Sequence, residues 1–139
     1  MPLTSSQAHA VIVAAEAKAS AIGVPVIIAV VDGGVHLKAF TRMDGAVLAS
    51  IDIALKKART AALFQANSEA VWEYCKPGAP APGLELTNGG LAPFAGGVPL
   101  RGLDGELVGA VGVSGGAVPQ DAEIAQAAAA AFADKSVHA

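Results

Sequence analysis

The chain has 139 residues, which suits one domain with one core, taken here as residues 1–139. Hydrophobic residues make up 53% and charged residues 15%, against roughly 25% charged in a typical soluble domain. The net charge of −3 and the absence of any basic run longer than Lys56-Lys57 exclude a nucleic-acid footprint, and the apolar run over residues 24–31 is far shorter than the ~20 residues of a membrane span.

Thr4-Ser5-Ser6-Gln7 has the form of a capping box and opens a predicted helix to about Ala21, with Ala8, Ile12, Ala15 and Ala19 as its apolar stripe. Gly23 and Pro25 end it. Residues 25–31 are β-branched and apolar on both faces, as in a central strand covered on two sides. Asp32-Gly33-Gly34 forms a turn, and residues 35–41 are expected to pair back as a hairpin that contains His36. A long helix is predicted over about residues 46–67, with Asp44 as its N-cap and Asp52 and Lys56 in the favourable spacing of four.

The composition then changes, with twelve of the sixteen glycines lying between Gly78 and Gly116. Pro77, Pro80 and Pro82 mark an extended loop, either functional or mobile. Residues 97–102 and 106–113 are two further strands joined by Leu103-Asp104-Gly105. Gly109 and Gly112 inside the second of these imply a close approach to its backbone. Pro119 opens a last helix to about Asp134, with Asp121 and Glu123 near its positive end. The order α-β-β-α-loop-β-β-α specifies an α+β fold, an antiparallel sheet with helices packed on it, and a frayed tail over residues 136–139.

Polar groups that could form a site fall at element ends: Arg42, Asp44, Lys57, Asn88, Ser114 and Asp121. Ser50, Lys57, Thr60 and Ala61 share one side of the long helix. Lys57 is either the partner of a ligand's anionic group or a solvated cation beside Lys56 and Arg59. Asn88-Gly89-Gly90, Gly96-Gly97 and Ser114-Gly115-Gly116 offer backbone N–H groups that could cradle an anion, or they are only tight turns. They fit no phosphate-loop or dinucleotide fingerprint.

His9, His36 and His138 are too far apart in sequence for a metal motif. Any one of them could ligate haem iron through a ring nitrogen, or be structural or simply exposed. Cys75 is the only cysteine, which rules out an intrachain disulfide and reads as a quiet thiol. Pro2 would be a terminal secondary amine if Met1 is removed, but it precedes a helix cap. No positive segment followed by an apolar one marks a signal peptide, so the expected compartment is the cytoplasm. With 21 charged side chains (nine basic plus twelve acidic), some apolar surface is expected to be covered by another copy of the chain.

Four stretches together resemble one family. They are Ile28-Ala-Val-Val-Asp-Gly-Gly34; Arg42-Met-Asp-Gly-Ala46 with Ser50-Ile-Asp-Ile-Ala54; Lys57-Ala-Arg-Thr-Ala61; and Gly96-Gly-Val-Pro99 with Gly109-Ala-Val-Gly-Val-Ser-Gly-Gly116. From about Leu3 to Ala133 the chain is similar to the GlcG/HbpS-like family, which includes the C-terminal domain of PduO-type cobalamin adenosyltransferases. The resemblance implies a profilin-like antiparallel sheet flanked by helices, assembled as a homo-oligomer, often an octamer. It also implies haem or corrinoid association for some members, while the adenosyltransferase chemistry belongs to a different domain; if haem binds here, His36 and His9 are the candidate ligands.

The leading expectation is a protein that binds a small ligand, haem or another tetrapyrrole, at or near a subunit interface. Its ligand contacts would come from Arg42, Asp44, Lys57, Asn88, Gly96, Gly97, Ser114, Gly115, Gly116 and Asp121. The alternatives are a cofactor-independent enzyme acting on a small carboxylate and a structural operon partner without catalysis. In the enzyme, Arg42 or Lys57 would bind the anion and Asp44 or Asp121 would move protons.

Overall fold

A computed structural model describes residues 2–134. Helix α1 (Ser5–Ile22) is followed by strands β1 (Ile27–Asp32) and β2 (Leu37–Arg42), then helix α2 (Ser50–Phe64) and a short helix α3 (Trp72–Cys75). Strands β3 (Gly97–Arg101) and β4 (Leu107–Ser114) and helix α4 (Val118–Ala133) complete the order. The capping box at the start of α1 is formed, with Gln7 N donating to Thr4 Oγ1 and Thr4 N donating to Gln7 Oε1, both at 3.0 Å. Gly23 ends the helix in the left-handed conformation at φ 72°.

The two hairpins join along their inner strands, and the antiparallel sheet runs β2-β1-β4-β3. This α+β architecture has the predicted order. Because side chains alternate along a strand, β1 serves two cores. Val26, Ile28 and Val30 pack with α1 and α4 through Val11, Ile12, Ile124 and Phe132. Ile27, Ala29 and Val31 pack with α2 through Ala54, Ala58 and Ala61. The β1 residues are buried on both faces, as their unbroken apolar run requires.

Over β3 and β4, helix α2 comes into close backbone approach with the sheet at two glycines. Gly97 and Gly112 are register partners on β3 and β4. A Cβ on Gly112 would strike the carbonyl of Ala54, and one on Gly97 would strike the carbonyl of Lys57. The glycines of the Gly109–Gly112 stretch therefore mark close backbone approach, as their place in the strand suggested.

The long helix is shorter than expected. It begins at Ser50 with Ala49 as N-cap and no side-chain cap, so Asp44 is not its cap. The interruption is at Gly45, held at φ 85°, within a turn at residues 44–45 that is followed by a second turn at 48–49. His36 lies before β2 rather than inside a strand, because Val35 takes φ 69° and its N–H bonds the carbonyl of Asp32. The proline- and glycine-rich connection holds α3 and two 3-10 turns, Ser68–Val71 and Leu84–Leu86. His138 and the expected frayed tail lie outside the described residues.

Candidate functional site

The best-defined polar cluster centres on Lys57, in the middle of α2. Its neighbours on that helix face are Ser50, Ala54, Ala58 and Ala61, all buried. The lysine is therefore a core residue, and its side chain is 1% exposed. A buried ammonium needs hydrogen-bond partners. Lys57 Nζ donates to Val113 O of β4 at 2.9 Å and to Asp121 Oδ2 in the first turn of α4 at 3.2 Å. It also stands 5.1 Å from the centroid of the Phe94 ring, within cation–π range. Removal from water pushes the Lys57 amine below its ordinary value, partly opposed by the charge and hydrogen bond of Asp121.

Asp121 is equally enclosed, its side chain 3% exposed. Its second oxygen accepts from Gly116 N at 2.8 Å. The pair thus ties α2, β4, the Ser114-Gly115-Gly116 turn and α4 together. Beside it, Ser114 Oγ donates to Ser50 Oγ at 3.0 Å, both buried. Ser68 Oγ donates to Phe94 O at 2.6 Å and accepts from Gly97 N at 2.9 Å, fixing the segment that carries Phe94.

Of the residues singled out from sequence, the fold gathers Lys57, Gly96, Gly97, Ser114, Gly115, Gly116 and Asp121 here. Arg42 and Asp44 are exposed around the end of β2, and Asn88 lies on the connection, where its carbonyl accepts from Arg59 at 3.1 Å. The glycines are packed against protein rather than facing a cleft. A Cβ on Gly96 would lie 2.6 Å from Lys57 Nζ, and one on Gly115 would lie 2.8 Å from Pro25 O. Gly115→Val should therefore unfold the chain before it tests any ligand contact.

Sequence reasoning did not find what lies over this pair. Phe94 is 38% exposed and forms one wall of a groove of about 540 Å³, with Trp72, Pro93, Ala95 and Val118. Glu69 and Glu73 also line it. Trp72, 43% exposed, and Phe94 account for two of the chain's five Trp and Phe residues, and their exposure is the one signal that composition could not supply.

The histidines lie elsewhere. His9 is exposed on α1, and the His36 side chain is 83% exposed in the β1–β2 turn, with Nδ1 3.5 Å from Asp32 Oδ1. That carboxylate oxygen also accepts from Gly34 N at 2.9 Å and His36 N at 3.0 Å. The bond from His36 N is the main cause that holds the Asp32 carboxyl below its ordinary value. A depressed carboxyl pKa stabilises the fold above the ordinary aspartate value of about 3.9 and loses that effect as pH falls through the lower folded value. Asp32→Asn is therefore expected to lower stability by about 1 kcal/mol at pH 7, with the gap to the parent closing as pH falls below the ordinary aspartate value; urea melts across pH check it.

No group of three metal-ligating side chains occurs among the described residues. No helix among them is long and apolar enough to cross a membrane. Cys75 is buried, and burial raises its thiol, in keeping with a quiet thiol.

A family model described as haem degrading protein HbpS-like matches residues 3–130. An uncharacterised 15.0 kDa protein from the dhaT-dhaS intergenic region of Citrobacter freundii is 41% identical over 95% of this chain and 93% of its own length. Protein GlcG of Escherichia coli K12 is 40% identical over 81% of each chain. The crystal structure of a PduOC:haem complex superposes with a TM-score of 0.88 at 37% identity, covering 94% of this chain and 95% of that one.

Proposed function

This chain belongs to the HbpS-like family, and on that premise we propose that it binds haem through a histidine, as an oligomer. The observation that carries the reading is the likeness, at 37% identity over nearly the whole chain, to a domain crystallised with haem.

The residues present suit such a ligand. Imidazole is a common axial donor to haem iron, and His9 and His36 both project into solvent. His36 has a carboxylate oxygen 3.5 Å from its Nδ1, an arrangement that would orient the ring with Nε2 toward iron. Exposed Leu37 and Phe40 lie close by in sequence, and Lys38 could meet a propionate. His9 sits one turn before Val13, which is also exposed. Haem, when bound, supplies the iron chemistry, and the chain supplies the donor, the apolar contact and the counter-charge.

Neither histidine lines a walled cavity among those described, and the apolar groove of Trp72 and Phe94 has no histidine in its lining. A flat apolar ligand held on so open a histidine leaves one face in water. A second copy of the chain would cover that face, which unites the haem reading with the expected oligomer.

Haem titration should give a saturable Soret band that His9→Ala or His36→Ala, one of the two, shifts or abolishes. Sedimentation should show an assembly larger than the 13.7 kDa monomer. A Soret spectrum unchanged in both variants, or a monomer at micromolar concentration with haem present, would reject the reading.

A further inference from the structure

We propose that Lys57 is a carbonyl-capturing amine: it forms a reversible imine with a small uncharged aldehyde that enters through the apolar groove beneath Phe94, with Asp121 moving the proton. This site is separate from the histidines and does not depend on haem.

Four observations support it. The only described lysine side chain that is fully enclosed is Lys57, while those of Lys18, Lys56 and Lys76 are between 34% and 43% exposed. Two of its three N–H directions are fixed by Val113 O and Asp121 Oδ2. Gly96 and the Phe94 ring close the remaining side, and Phe94 also forms a wall of a groove large enough for a small organic molecule. The Phe94 ring therefore borders both the amine and the groove, and it is carried by a segment with neither helix nor strand. Burial in apolar surroundings also makes the neutral, nucleophilic amine more accessible than it is on a surface lysine.

The charge pattern selects the partner. Lys57 is already neutralised by Asp121, and the groove is lined by Glu69 and Glu73 with no cation among its lining residues. A carboxylate ligand would meet like charge there, whereas an uncharged carbonyl would not. The step is balanced. The ammonium gives a proton to Asp121, and the free amine adds to the carbonyl carbon. Asp121 passes that proton, and then a second taken from the same nitrogen, to the carbonyl oxygen, which leaves as water, and the nitrogen keeps one hydrogen in a protonated imine. No oxidant or reductant is needed.

The test uses the whole chain at pH 6.5, where only about one exposed lysine in ten thousand is neutral. Propionaldehyde with cyanoborohydride, which traps an imine as a stable alkyl amine, is followed by peptide mass mapping, with Lys18, Lys38, Lys56 and Lys76 as internal controls. Lys57 is expected to be alkylated at least tenfold faster than each of them. Phe94→Ala, checked for folding by its melt, should raise that rate at least fivefold. Phe94→Leu serves if the alanine variant does not fold. Glyoxylate, an anionic aldehyde, should leave Lys57 unmodified. Alkylation of Lys57 no faster than the exposed lysines, in the parent and in the folded Phe94 variant alike, would overturn the proposal. Equal labelling of Lys57 by glyoxylate would overturn its selectivity for uncharged carbonyls.

Discussion

Gly112→Ala is expected to destabilise the fold by about 3 kcal/mol or more, a large fraction of the total stability of a domain this size. The new Cβ would lie 2.5 Å from Ala58 N and closer still to the carbonyl of Ala54. Both are backbone atoms inside α2, so no rotamer change relieves the clash. The helix must lift off the sheet, opening the core of Ile27, Ala29, Val31 and Ala110. Gly97→Ala should behave alike, since its Cβ would strike the carbonyl of Lys57 on the same helix. Gly102→Ala is the control, because the nearest atom to its Cβ is 3.4 Å away and its φ is not positive. Its cost should stay within about 0.5 kcal/mol. Urea midpoints of the three variants decide the matter, and a Gly112→Ala midpoint equal to that of Gly102→Ala would show that α2 can shift freely.

That contact was partly legible in the sequence. Glycines inside a run of valines signalled a neighbour on the strand backbone, but not which element it was, because nothing local links β4 to a helix some fifty residues earlier. The elements themselves were readable where local chemistry decides them, as with Thr4 and Gln7 at the start of α1 or Asp104 and Gly105 in the last hairpin, where Glu106 N donates to Asp104 Oδ1 at 3.1 Å. Reading failed where a backbone conformation overrode the side-chain pattern. Asp44 has the chemistry of an N-cap, yet Gly45 turns the chain out of helix right after it. Val35 is a β-branched residue in the left-handed region, where such residues are rarely found, and it displaces His36 from the strand.

The candidate site was legible as a set of residue types and not as a geometry. Lys57 falls on the same helical stripe as Ser50 and Ala61, yet its sequence left it between a ligand's partner and a solvated cation, and only the fold shows it enclosed. A core lysine requires an anion, and Asp121 was among the polar groups noted, but their pairing spans 64 positions and is made by the sheet between them. The exposure of Trp72 and Phe94 was hidden for a related reason. Aromatic residues are read as core until a fold shows that the core is already full.

The buried pair itself yields the other large effect. Asp121→Ala should cost about 3–5 kcal/mol, because it leaves the Lys57 charge enclosed with a single carbonyl acceptor. Lys57→Met should cost less, since the stem volume is kept and Asp121 retains the Gly116 N–H. Changing both, Lys57→Met with Asp121→Leu, should recover much of the loss, and a double-mutant cycle then measures the coupling. The pH dependence has a definite sign. The folded-state pKa of Lys57 lies below its unfolded value, so between the two the unfolded chain binds more protons and stability rises with pH. The effect ends near the unfolded value of about 10.4. The parent should therefore gain on Lys57→Met as pH is raised toward 10, and Asp121→Ala should gain more steeply, having lost the charge that supports the ammonium. Urea melts from pH 7 to 10 give the slopes, and a parent that loses ground to Lys57→Met over that range would mean that Asp121 outweighs desolvation at this amine.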